Sequence, residues 1–175
     1  MSALGRRLPV ELFTATSRVT GTVVSRHIHV RDELNDARLS ALVFTEMQVA
    51  TLGDLRGARV VSGDAWLKKA EILLAVPLKV KGATSALAQR SIQTRLGKNE
   101  QRILLDLVPF RVEGNFYYAG KVRVDDPPWR EGGVFASLSD AQVTFLPDPA
   151  ISFVVDELSF NTERITMFCA DFQMA

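Results

Sequence analysis

The chain has 175 residues, 47% of them hydrophobic, which is enough for one ordinary domain or two small ones with a packed core. Its 21 Lys and Arg stand against 20 Asp and Glu, a formal charge of +1. That balance excludes a global field that would recruit nucleic acid or an anionic membrane, so any such binding would need a local patch. The single Cys169 excludes an internal disulfide, and the start MSALGRRLPV leads into no apolar stretch of the signal-peptide kind, so an unexported, cytoplasmic protein is expected. No apolar run approaches the roughly 20 residues of a membrane helix. Cys169, between Phe168 and Ala170, reads as a buried small apolar residue rather than a nucleophile.

From the N-terminus onward the chain consists of short runs of Val, Ile, Leu, Phe and Thr broken by Gly, Pro, Asn and Asp, the signature of strands and turns. RVTGTVVSRHIHV reads as a hairpin or bent strand pair around Gly21. A short helical turn fits Asp32 to Ala37, with Asp32 as its cap. LSALVFTEMQVATL reads as two strands turning at Thr45-Glu46, and AEILLAVPLKV closes the unit. GATSALAQRSIQTRLGKNEQ is the main helix candidate, with Leu87, Ser91, Ile92 and Leu96 near one face before Gly97. With Lys79 and Lys81 just before it, it is basic through Arg90, Arg95 and Lys98, and contains no aromatic residue to stack on a base. Beyond it, RVEGNFYYAGKVRV, VFASLSDAQVTFL (turning at Ser139-Asp140) and ERITMFC repeat the earlier sequence of strands.

The repetition extends to individual residues. RVTG, Arg18 to Gly21, falls on RVEG, Arg111 to Gly114, and Val30, Asp32, Gln48, Val49, Leu52 and Asp54 fall on Val124, Asp126, Gln142, Val143, Leu146 and Asp148. KKAEILLAV, from Lys68, is set against FNTERITMF, from Phe160. The expectation is an all-β protein with minor α content: two duplicated small β-barrel-like units, 8–77 and 102–172, related by a pseudo-twofold axis and joined by a linker or helix at 78–101.

Arg18 and Gly21, Asp32-Glu33-Leu34-Asn35, Thr45-Glu46-Met47 and Lys69 to Ile72, with Arg111 and Gly114, Ser139-Asp140-Ala141 and Asn161 to Ile165, resemble a pattern of uncharacterised tandem small β-domain proteins of Chloroflexi-type bacteria. The resemblance implies architecture and carries over no catalytic residue. The glycine-centred strand pair, Asn35 and the closing AEILLAV are also similar in order to Sm-like small barrels, which implies an oligomer-forming, RNA-binding module by fold-level analogy alone.

The stretch SRHIHVRDE holds both histidines. Gly21, His27, His29 and Glu33 match the opening of a cupin motif, G-x5-H-x-H-x3-E. On a strand, His27 and His29 share a face, and with Glu33 they would form a facial set for a divalent metal. Against this, the chain has no third histidine, Ser40 stands where the motif wants glycine, and Lys121, Arg123 and Pro127 occupy the corresponding places in the second copy. Basic residues alternating with Ile28 and Val30, or with Val122 and Val124, read as a half-buried strand with a polar outer face. That face carries His27, His29 and Arg31 in one copy, with Arg26 joining them if the strand is locally bulged, and Lys121 and Arg123 in the other, a surface for a phosphate or acidic partner were Asp32, Glu33, Asp125 and Asp126 not there to neutralise it.

GRRLPVEL resembles the start of a PilZ cyclic-dinucleotide domain without the partner motif, and no P-loop, dinucleotide fingerprint, nucleophile elbow or zincin motif occurs. Trp129, after Pro127-Pro128, is the aromatic expected to meet a partner. The preferred reading is a non-catalytic protein, without cofactor, that acts through a protein partner or as a homo-oligomer. The alternatives are a cupin-type metalloenzyme on His27, His29 and Glu33, and an RNA- or nucleotide-binding module of Sm-like or PilZ-like kind.

Overall fold

A computed structural model describes residues 5–61, 63–78, 98–118, 129 and 133–170. Most of them lie in one antiparallel sheet of eleven strands. The first half supplies β1 (Arg6–Phe13), β2 (Ser17–Ser25), α1 (Val30–Asn35), β3 (Ala41–Thr51), β4 (Asp54–Val61), β5 (Ala65–Lys68), a 3-10 turn at Lys69–Glu71 and β6 (Leu74–Pro77). The second supplies β7 (Asn99–Leu107), β8 (Phe110–Tyr118), β9 (Phe135–Phe145), β10 (Ser152–Asn161), a 3-10 turn at Thr162–Arg164 and β11 (Met167–Ala170). Of the helix candidate in the connecting segment, residues 82–97 lie outside the described residues, while Asn99 to Gln101, expected in the helix or linker, already belong to β7 because they pair with β8. No described helix is long and apolar enough to cross a membrane.

The strands run β11-β7-β8-β9-β10-β6-β1-β2-β3-β4, with β5 also on β3. The order closing strand, first, second, third, fourth therefore occurs in each half. Registers agree as well. Phe13 lies opposite both Arg18 and Leu74, as Asp106 lies opposite both Arg111 and Met167. Val19 faces Val49, as Val112 faces Val143. β4 and β5 together cover β3 as β10 alone covers β9, with a break near Gly63, whose positive φ suits only glycine without strain. The 3-10 turns fix the match at the end of each unit, and they set Lys69 beside Thr162, one residue away from the sequence alignment.

The expected turns at Thr45-Glu46 and Ser139-Asp140 do not form. β3 and β9 each continue through the site, and the pairing slips a register there: Thr22 faces Glu46 while Val23 faces Phe44, and Glu113 faces Gln142 while Asn115 faces Ser139. These are β-bulges, which break the alternation just as a turn does in sequence. Likewise RVTGTVVS is one strand rather than a hairpin, with Gly21 at its centre.

Among the described residues two clusters form the interior. One holds Val10, Leu12, Val19, Val23, Val30, Leu34, Leu42 and Phe44. The other, mainly from the second half, holds Ile103, Leu105, Phe110, Val112, Leu138, Val143, Leu158 and Phe160, together with Phe13, Leu73, Leu74 and Val76 from the first. The strand β6 joins them: Ala75 belongs to the first cluster while Leu74 and Val76 belong to the second. Both faces of this one strand are buried, so its sequence is continuously apolar rather than alternating.

Candidate functional site

The strand expected to run through the histidines ends at Ser25. Residues 26–29 bend and lead straight into α1, with His29 as its N-cap and its carbonyl oxygen accepting from the Glu33 N–H at 3.3 Å. The helix begins two residues before the expected turn because Val30 and Leu34 form its buried face, while Asp32 sits inside the first turn rather than capping it.

This local fold separates the three expected metal donors. Glu33 is 3% exposed, and its carboxylate accepts from the Ser25 hydroxyl at 2.5 Å, while Ser25 Oγ accepts the His27 N–H at 2.8 Å. His27 is half-buried and places Nε2 3.2 Å from the Asp36 carboxylate. His29 is exposed. No group of three or more His, Cys, Asp or Glu side chains is placed to hold a metal ion among the described residues. The donors thus do not fit the facial set that the motif suggests, since the carboxylate turns inward to a serine and one imidazole turns outward.

What gathers around α1 is a polar network. The Lys69 ammonium is buried and donates to the carbonyl oxygens of Glu33 at 2.5 Å and Asp36 at 2.9 Å, closing the C-terminal end of the helix. Burial pushes the Lys69 pKa down, against the opposing pull of the Glu33 and Asp36 charges. The Arg38 guanidinium holds both Asp36 oxygens at 2.8 and 2.6 Å, and with the His27 hydrogen bond it keeps that carboxyl well below the usual carboxylate range. Glu33, Asp36 and Lys69 are each engaged by other groups of this network, so it orders the loop between β2 and β3.

Of the surface residues named from sequence, Arg31 and Trp129 are among the described residues. Arg31 is exposed and 3.8 Å from Asp32. Lys121 and Arg123 lie outside the described residues. Trp129 is no surface anchor: only 7% exposed, it packs edge-on against Phe116, Phe160 and Phe168 with ring centroids 5.7, 5.8 and 4.7 Å apart. Its burial of large apolar area outweighs the loop-like sequence around it. Cys169 is half-buried on β11.

Residues that enter the sequence reasoning only as pattern positions, or not at all, join the two halves. β10 meets β6 with Ser159 opposite Ala75 and Phe160 opposite Leu74. Asn161 is 1% exposed; its N–H donates to the Leu73 carbonyl at 2.9 Å and its Nδ2 to that of Ile72 at 3.0 Å. Arg164 donates twice to the Ala70 carbonyl, at 3.1 and 2.7 Å. Asn35 clamps Phe135 from the far end of α1, donating to its carbonyl and accepting from its N–H, each at 2.8 Å. Phe13 stacks on Phe153 with centroids 5.3 Å apart. The traces of this joint in sequence are the unbroken apolar run of β6 and Phe13, an apolar residue on the face of β1 opposite Val10 and Leu12.

No known protein family, curated protein or solved structure matches the chain.

Proposed function

We propose that this is a non-catalytic protein of two duplicated β-units that acts by assembly, its partner another protein chain and in the first instance a further copy of itself. The observation that carries this reading is the joint between β10 and β6. A unit with this strand order completes its core by accepting the closing strand of another unit, as the second half accepts Leu74 and Val76 from the first. The strand-by-strand agreement of the registers supports duplication, and it agrees with the resemblance to tandem small β-domain proteins.

The reading also has support from what surrounds the histidines. Glu33, His27 and Asp36 are engaged with Ser25 and Arg38 in bonds that order the chain. Light scattering on the purified protein over a range of concentrations tests the reading: masses above the 19.3 kDa of one chain are expected. A single-chain mass throughout overturns self-assembly. Stoichiometric iron, manganese or zinc that vanishes in His27→Ala overturns the non-catalytic assignment in favour of the metalloenzyme.

A further inference from the structure

The joint inside the chain has a template's worth of detail, and the two ends of the sheet can be compared with it position by position. Among the described residues, no strand pairs with the outer edges of β4, β5 or β11. In the first half β5 corresponds to the part of β10 that makes the joint: Lys68, like Asn161, immediately precedes a 3-10 turn and lies opposite the first residue of the third strand, Ala41 or Phe135. Leu67 thus stands in the place of Phe160, and Trp66 in that of Ser159. At the other end β11 corresponds to β6, with Met167 in the place of Leu74 and Phe168 in that of Ala75.

Two features of the ends match each other. Trp66 is 64% exposed and Met167 is also an exposed apolar residue, so each end carries an apolar side chain at the position that the internal joint buries. The second is a charge exchange. Phe153 faces Val143 as Arg59 faces Val49, and Phe13 has the place of Asp106. Where the internal joint stacks Phe13 on Phe153, a joint between ends would bring Asp106 to Arg59, an acid to an exposed base.

We propose, resting on the assembly reading above, that copies of this chain associate head to tail. The outer edge of β5 of one copy pairs antiparallel with the outer edge of β11 of the next, in the register that sets Leu67 opposite Met167 and Trp66 opposite Phe168 and brings Arg59 to Asp106. Such an interface is heterologous, so it propagates until it closes a ring or continues as a filament. It is weaker than its internal template. Glu71 stands where Arg164 donates to a carbonyl and can donate nothing, and Asp106 already shares its charge with Arg111 at 2.8 and 2.9 Å. The assembly is therefore reversible with dilution and weakened by salt.

The decisive experiment uses full-length chains in a Cys169→Ala background, one tagged and carrying only Leu67→Cys, the other untagged and carrying only Met167→Cys. Mild oxidation of the mixture should give the mixed dimer and neither like pair, since the joint brings position 67 only to position 167. The unmodified protein supplies a second measurement: amide exchange at residues 66–68, 167 and 168 should slow as concentration rises. Arg59→Glu should shift the assembly midpoint to at least tenfold higher concentration, and Arg59→Lys should restore it. Assembly seen by light scattering with like pairs, or with no slowing at those amides, overturns this joint while leaving self-assembly standing. A single-chain mass at every concentration overturns both.

Discussion

Gly21 lies directly beneath the carbonyl of Glu46, where a Cβ would fall inside the contact distance of that oxygen and 2.8 Å from the Phe44 ring. Gly114 holds the same place in the second half, with room that is tighter than usual but not closed: an added Cβ would meet Leu138 Cβ and the Ser139 carbonyl at 3.2 Å. Both glycines sit where the third strand bulges, and Asp140 in the second bulge has a positive φ of 49°. The glycine of R-V-x-G therefore lets β2 and β8 pass close under a bulged neighbour.

Gly21→Ala should cost about 3 kcal/mol and Gly114→Ala about 1 kcal/mol, because the first clashes with fixed backbone and the second needs shifts of a few tenths of an ångström. Urea unfolding midpoints check the order. Equal effects, or a larger one at Gly114, would mean that the bulge carbonyl does not set the requirement.

Asn35→Ala removes both bonds to Phe135 and leaves its buried N–H and carbonyl without their partner, a loss of about 2 kcal/mol. Asn35→Asp should not restore it, since a carboxylate can accept from the N–H but is repelled by the carbonyl. Thermal unfolding of both variants beside the unmodified protein measures this. Full recovery in Asn35→Asp would show that only the Phe135 N–H matters.

These cases show how much sequence reveals. Alternation located most strands, because one face of each is buried and the other is not. It misread RHIHV, where Ile28 is exposed and Val30 is the first residue of a helix. Polar pairs at Thr45-Glu46 and Ser139-Asp140 looked like turns, since a bulge and a turn both interrupt the period. The pairing of β10 with β6 was beyond reach: the two halves read alike, so no periodicity says which unit's closing strand completes which core. Around α1 the sequence singles out Glu33 and His27 but not their partners Ser25 and Asp36, for neither has a motif.

The acid limb of stability should carry the signature of Asp36. Its folded-state pKa is depressed, so its contribution is fully present above the ordinary aspartate value near 3.9 and is lost as pH falls below that value towards the folded one. Unfolding measured from pH 6 to pH 2 should therefore show a steeper loss in the unmodified protein than in Asp36→Asn. Parallel curves would mean that the Arg38 and His27 bonds do not persist in solution.

Lys69 shifts in the opposite sense for a base. Its folded-state pKa is lowered, so between that value and the ordinary 10.5 the unfolded chain holds a proton that the folded chain has released, and stability contributed by this group rises with pH through the window. Lys69→Met at neutral pH leaves the Glu33 and Asp36 carbonyls unbonded but relieves a buried charge, for a net loss of about 1–2 kcal/mol. The gap between the two proteins should widen as pH rises through the window. A gap that narrows would show that the ammonium charge itself, rather than its hydrogen bonds, stabilises α1.

Phe13 carries the coupling between the halves. It begins in the first half, on the face of β1 turned away from Val10 and Leu12, and finishes 4% exposed in the core of the second, against Phe110 at 5.5 Å and Phe153 at 5.3 Å. Truncation to Ala removes a fully packed ring with no side chain placed to fill the gap, and should cost about 3–5 kcal/mol. Since β1 and β6 each contribute side chains to both cores, the unmodified protein should unfold in one calorimetric transition, with the van't Hoff and calorimetric enthalpies equal. Two resolved transitions in the unmodified protein would show that each half is complete without the other. The joint would then be a contact between finished domains rather than a shared core.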